Sequence, residues 1–168
     1  MVTEKYMNWK PRTKVQTALV NESRPLAVYN MKEESGKTLT ACIHIVQCVS
    51  GVSPFAINKP PDNAIGSNGR IIYVSWSVNL KFVIMRLLAL LQNKEIELSK
   101  QHSRFTLQTG TEIFLNNFQQ HPRCLEGHSW DLIVFDETLL INSIKNEQLW
   151  FDWQQTAEAM SSRVLYVS

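Results

Sequence analysis

Four short runs of consecutive apolar residues constrain this chain most: Leu26 to Tyr29, Ile71 to Val74, Leu132 to Phe135 and Val164 to Val167. A strand that alternates apolar with polar residues has one wet face, whereas a strand apolar at every position is covered on both. The runs predict buried strands over Leu26 to Asn30, Ile71 to Ser75, Leu132 to Phe135 and Val164 to Val167. Between them lie segments of helical period. Leu39, Ile43, Val46 and Val49 recur on one face from Lys37 to about Val49, and helices also fit Thr13 to Val20, Leu80 to Leu91 and Asn146 to Ser161. Buried strands alternating with helices predict an α/β fold, a mostly parallel central sheet with helices on both faces. Arg104 to Gln108 and Thr111 to Leu115 instead alternate around Thr109-Gly110, which reads as a β-hairpin at the margin of the sheet. Gly51 to Gly69 is rich in Pro, Gly, Ser and Asn and reads as a long surface loop.

At 168 residues the chain fits one domain, 1–168, with enough length for a real core. A formal charge of +2 is too small to argue for nucleic acid on its own, although Lys10, Arg12 and Lys14 make a short basic cluster. Three cysteines, Cys42, Cys48 and Cys124, follow no disulfide spacing, and the N-terminus lacks an apolar signal segment; a reducing interior is the expectation. No apolar run approaches the roughly 20 residues that span a bilayer, so no membrane partner is expected. A chain that stops on what should be a central strand reads as one part of a longer protein.

Two motifs carry chemistry. Glu34-Ser35-Gly36-Lys37-Thr38 follows the first apolar run and opens a helix, the setting of a phosphate-binding loop (P-loop). Such a loop aims backbone N–H groups at phosphate oxygens and seats the anion at a helix N-terminus. Gly36 would let the backbone approach, Lys37 would reach the β- and γ-phosphates, and Thr38 would offer its hydroxyl to magnesium. Met31 stands at the first glycine position of the usual pattern, and Glu33 and Glu34 lie inside the loop, where their charges must point away from a triphosphate or meet a cation. The second motif is Asp131-Leu132-Ile133-Val134-Phe135-Asp136-Glu137, an apolar strand ending in adjacent carboxylates. Asp136 would hold magnesium through water while Glu137 orients and deprotonates the attacking water. Together the motifs predict a P-loop NTPase that uses Mg2+ and a nucleotide such as ATP.

In this order the parts resemble the ATPase half of the large terminase subunits of tailed bacteriophages and related viruses. Tyr29 to Thr38 is similar to that family's strand-to-loop passage, which tolerates loss of the first glycine. Ile71 to Ser75 resembles its second strand, and the hairpin through Gly110 its next two. Leu125 to Asp131 resembles the stretch leading into its acidic motif, with Glu126 where the family has arginine. The resemblance runs from about Trp9 to Ser168. It implies an ATP-hydrolysing motor for DNA packaging, with Lys37 and Glu137 catalytic, Glu34 to Thr38 on the nucleotide, and Thr38 and Asp136 on the metal. It also implies that Gln16 contacts adenine and that Val164 to Ser168 enters a motif coupling hydrolysis to movement. Double-stranded DNA, a portal, a small terminase subunit and a homo-oligomeric ring are the implied partners, and the host cell cytoplasm the implied location. The nuclease half has no counterpart here, so no nuclease activity is expected of this chain. Arg70 or Arg123 could serve a neighbouring subunit as the charge-stabilising arginine. One RecA-like domain of a helicase or DNA translocase, and a non-hydrolysing nucleotide-binding scaffold, are the rival readings.

His121, Cys124 and His128 lack the fourth ligand of a structural zinc site. Cys42 and Cys48 are expected in the core. Trp76 and Trp130 border buried strands, where packing is commoner than base stacking.

Overall fold

The computed structural model describes residues 10–31, 36–50, 64–65, 68–75, 84, 104–106, 110–138 and 147–168. Its strands are β1 (Leu26–Tyr29), β2 (Arg70–Ser75), β3 (Arg104–Thr106), β4 (Glu112–Asn117), β5 (Leu132–Phe135) and β6 (Val164–Val167). They form one sheet in the order β1-β6-β5-β2-β4-β3. The neighbours from β1 to β4 are parallel, and β3 pairs antiparallel with β4. The α/β class, the mostly parallel sheet and the marginal hairpin of the sequence reading are all present.

Strand geometry divides the core. Successive side chains point to opposite faces, so Ile71, Tyr73, Leu132, Val134, Leu165 and Val167 share one face. That face packs against helices α1 (Lys14–Val20) and α2 (Lys37–Ser50) through Leu19, Ile43 and Val46. Ile72, Val74, Ile133, Phe135, Val164 and Tyr166 point the other way and pack with Trp153 and Ala157 of α3 (Glu147–Met160). Each side chain buried in this way contributes about 1.5–3 kcal/mol relative to exposure, which is why these runs carry no polar alternation. On the α3 side the packing is aromatic: Phe135 stacks on Tyr166 at 5.2 Å, and Trp150 meets both edge-on. Trp153 is fully buried and donates its indole N–H to the Phe118 carbonyl at 2.8 Å.

Strand β1 corrects one expectation. Its run is wholly apolar, yet only Ala27 is buried; Leu26 is 49% and Val28 60% exposed. β1 is the edge of the sheet, and among the described residues the α3-side cover stops at β6. The sequence pattern alone could not separate a buried strand from an apolar edge. The helix expected over Leu80 to Leu91 falls outside the described residues except at Ile84, which is buried. Most of the loop expected over Gly51 to Gly69 also falls outside them.

Helix α1 starts where Thr13 caps it, its hydroxyl accepting the Gln16 N–H at 3.1 Å. It ends against α2: the Val20 carbonyl accepts from His44 Nδ1 and from Gln47 Nε2, both at 3.1 Å. The chain then turns into β1 around Glu22, whose carboxylate accepts from the Arg24 guanidinium, from the Tyr29 hydroxyl at 2.8 Å, and from the N–H groups of Ser23 and Arg24. Burial pushes the Glu22 carboxyl up, but the bonds from Arg24, Tyr29 and the backbone outweigh it and hold the pKa at about 2, below the ordinary 4.5. The folded value lies below the unfolded one, so this stabilisation is complete above about pH 4.5 and is lost as pH falls through about 2. Denaturant titrations between pH 5 and pH 2 are expected to show the wild type losing about 1–3 kcal/mol more than Glu22→Gln, the range allowing for solvent screening of the exposed Arg24. Equal losses in the two proteins would contradict this assignment.

Candidate active site

In a parallel sheet every strand delivers its following residues to the same edge, and in an open α/β sheet that edge is where ligands bind. Here β1 leads toward Gly36 and β5 leads into Asp136 and Glu137, with β6 lying between the two strands. The pairing continues past the regular strands: the Ser168 N–H donates to the Tyr29 carbonyl at 3.0 Å and the Met31 N–H to the Ser168 carbonyl at 2.5 Å. The Ser168 hydroxyl donates to Asn30 Oδ1 at 2.8 Å. The residues that open the loop are thus fixed to the end of β6.

Gly36 has φ +70, the left-handed region that glycine enters without a Cβ penalty, and among the described residues no atom lies within 4 Å of where its Cβ would be. The backbone turns there into α2, and the Gly36 carbonyl accepts both the N–H and the hydroxyl of Thr40 at 2.8 Å. α2 has no acidic residue of its own in its first turn, and the carboxylate that meets its positive end is that of Asp136. Lys37 and Thr38 are half-buried in that turn. Glu34 and Ser35, also expected on the nucleotide, lie outside the described residues.

Asp136 follows β5 by one residue, so strand alternation places its side chain on the face of Val134, the face that α2 covers. The carboxylate is fully buried. Its Oδ2 accepts from the Thr38 hydroxyl at 2.9 Å and from the Tyr73 hydroxyl at 2.6 Å, and its Oδ1 accepts the Glu137 N–H at 2.7 Å. The Asp136 N–H in turn donates to the Val74 carbonyl at 2.9 Å. A buried carboxylate is costly unless donors surround it, and these three do. The pair predicted to share a metal, 98 positions apart in sequence, is in direct contact. Burial, and after it the Asp136 charge, pushes the Tyr73 phenol well above its usual range, so it remains a donor; the same two causes raise the Cys42 thiol.

Glu137 has φ +60, which costs a non-glycine residue about 1–2 kcal/mol. The bond from its N–H to Asp136 Oδ1 holds it in that conformation, which turns the chain sharply after β5. The two carboxylates therefore part ways: Asp136 is buried under α2 and Glu137 is half-buried at the sheet edge.

The donor set suits magnesium. Mg2+ takes oxygen ligands, keeps several waters, and binds through one or two protein oxygens together with substrate phosphates. A hydroxyl and a carboxylate oxygen facing each other supply that; among the described residues no cluster of three His, Cys, Asp or Glu offers an all-protein cage. The zinc constellation set aside from sequence is otherwise engaged. His121 accepts the Arg123 N–H, Cys124 accepts from Asn116, and His128 meets Arg70.

Gln16 is buried on α1, its Oε1 accepting the Arg12 N–H at 2.7 Å. Arg70 begins β2, at the edge opposite Asp136; six strand residues separate the two edges by roughly 17 Å or more, which rules out a role at this chain's own site. Arg123 is exposed in a 3-10 turn, Pro122–Leu125. Trp130 is buried and donates its indole N–H to the Leu125 carbonyl at 2.9 Å, so it packs; Trp76 lies outside the described residues. Tyr73 was missed. Its signal was a phenol within the apolar run Ile71 to Val74, a hydroxyl that must find a partner once buried.

The strain at residue 137 is directly measurable. Glu137→Gly is expected to raise the denaturation free energy by up to about 1 kcal/mol despite glycine's greater unfolded entropy; a loss of 1 kcal/mol or more would show that the left-handed turn carries no penalty.

No family model matches this chain, and no curated protein matches it. Solved structures do. The ATPase domain of the Thermus phage P74-26 large terminase superposes with a TM-score of 0.60 at 17% identity, over 95% of this chain and 65% of that one. A mutant of the same domain gives 0.62 at 15% over the same shares. The bacteriophage HK97 large terminase gives 0.62 at 16%, over 96% of this chain and 33% of that one. The chain thus spans about two thirds of the Thermus phage domain and one third of the HK97 protein, and at these identities the likeness is one of fold: this chain has the α/β, RecA-like fold of phage large-terminase ATPase domains.

Proposed function

We propose that this chain is the ATP-hydrolysing motor domain of a viral DNA-packaging terminase. The observation that carries the reading is the Thr38–Asp136 contact, which joins a glycine-turned helix N-terminus to the acidic end of a parallel strand. The shared fold with terminase ATPase domains supports it.

In this reading the first-turn N–H groups of α2 and the Lys37 ammonium bind the β- and γ-phosphates of ATP, with Glu34 and Ser35 in the loop beside them. Thr38 and Asp136 would hold magnesium. When bound, the ion neutralises charge on the β- and γ-phosphate oxygens. Glu137 orients the attacking water and takes its proton, because the backbone turn at φ +60 carries it away from the buried Asp136. Gln16 is assigned to adenine on the resemblance. Double-stranded DNA is the translocated partner; a portal, a small terminase subunit and further copies of the subunit in a ring complete the machine in the host cytoplasm. Arg123, exposed, or Arg70, on the far edge, could serve a neighbouring subunit as the charge-stabilising arginine.

Steady-state ATP hydrolysis with magnesium, with and without double-stranded DNA, tests the assignment. Glu137→Ala is expected to lower kcat by about 100-fold or more while ATP binding persists, and Lys37→Ala to weaken ATP binding itself. Turnover indifferent to both substitutions would contradict the reading.

A further inference from the structure

We propose that Tyr73 is a positioning residue for the metal-binding carboxylate: its buried hydroxyl fixes Asp136 so that Oδ2 stays aimed at the cation site. The inference rests on the ATPase reading above and deepens it. Asp136 links the first turn of α2 to the turn that holds Glu137, because Oδ2 faces Thr38 while Oδ1 accepts the Glu137 N–H. A carboxylate that rotated about its last bond would lose both alignments together.

Two donors hold Oδ2, and they differ in freedom. Thr38 is half-buried at a helix start, and its oxygen is the one that would turn to a cation. Tyr73 has no such choice. It sits within β2, is 1% exposed, and lies across from Val134 in the register that brings its ring under Asp136. Its 2.6 Å bond to Oδ2 has the length of a hydroxyl donating to an ionised acceptor. When Thr38 shifts to the cation, the Tyr73 bond is what keeps Oδ2 where it was. Phenylalanine would fill the same volume, so only the hydroxyl serves this purpose.

The test is a magnesium titration of fluorescent ATP-analogue binding to the full chain, comparing wild type, Tyr73→Phe and Tyr166→Phe. Tyr166 is the matched control, since its buried ring donates a hydroxyl to Glu158 on the opposite face of the sheet. Tyr73→Phe is expected to need about 10-fold or more magnesium for half-maximal binding, with binding in chelator unchanged, while Tyr166→Phe follows the wild type. A Tyr73→Phe curve that coincides with the wild type would overturn the proposal and leave the ATPase reading standing. A wild type whose nucleotide binding ignores magnesium would overturn both. A second readout needs no loss of the hydroxyl: in chain built with fluorotyrosine, the fluorine resonance of residue 73 is expected to shift when magnesium joins ATP. A resonance that stays in place while magnesium-dependent binding is intact would also refute the role of Tyr73.

Discussion

The buried carboxylate of Asp136 is the point on which the site depends. An isolated charge at that depth would be destabilising by several kcal/mol, and it is tolerated because donors from three elements converge on it. Those donors come from the α2 first turn, from β2 and from the backbone that follows β5. Each is placed by a different part of the fold, so the charge and the architecture specify each other.

The parallel sheet makes that convergence possible. With β6 between them, β1 and β5 end at one edge, and the extra pairing through Ser168 carries the alignment into the loop mouth. Strand alternation then sorts the chemistry from the packing. Tyr73, Val134 and Asp136 face α2, while the stacked Phe135 and Tyr166 face α3 and supply much of the aromatic core. The left-handed turn at Glu137 takes that residue out of the strand alternation, so it lies half-buried at the sheet edge while Asp136 stays buried under α2. Strain stored beside a reactive group, and held there by a hydrogen bond, is a common device of active sites.

Much of this was legible in the residues. Continuous apolar runs and a 3.6-residue period place β2, β5, β6, α2 and α3 within a residue or so of where they lie, because burial on both faces leaves a pattern that local sequence retains. The helix start at Gly36-Lys37-Thr38 and the acidic strand end at Asp136-Glu137 were legible as residue types at a fixed spacing, and the fold brings Thr38 against Asp136. Three things were not. The exposure of Leu26 and Val28 depends on which strand lies at the sheet edge, a long-range fact absent from four residues. The left-handed backbone at Glu137 depends on a bond to its neighbour, in a residue that rarely adopts it. Tyr73 reads as one more core aromatic until the register of β2 against β5 brings it beneath Asp136.

Hydrogen exchange on the full chain, with and without ATP and magnesium, tests the central claim most directly. The account predicts added protection at the amides of the α2 first turn and at Glu137 together, since one ligand engages both sides of the Thr38–Asp136 contact. Nucleotide-dependent protection elsewhere, with these amides unchanged, would contradict it.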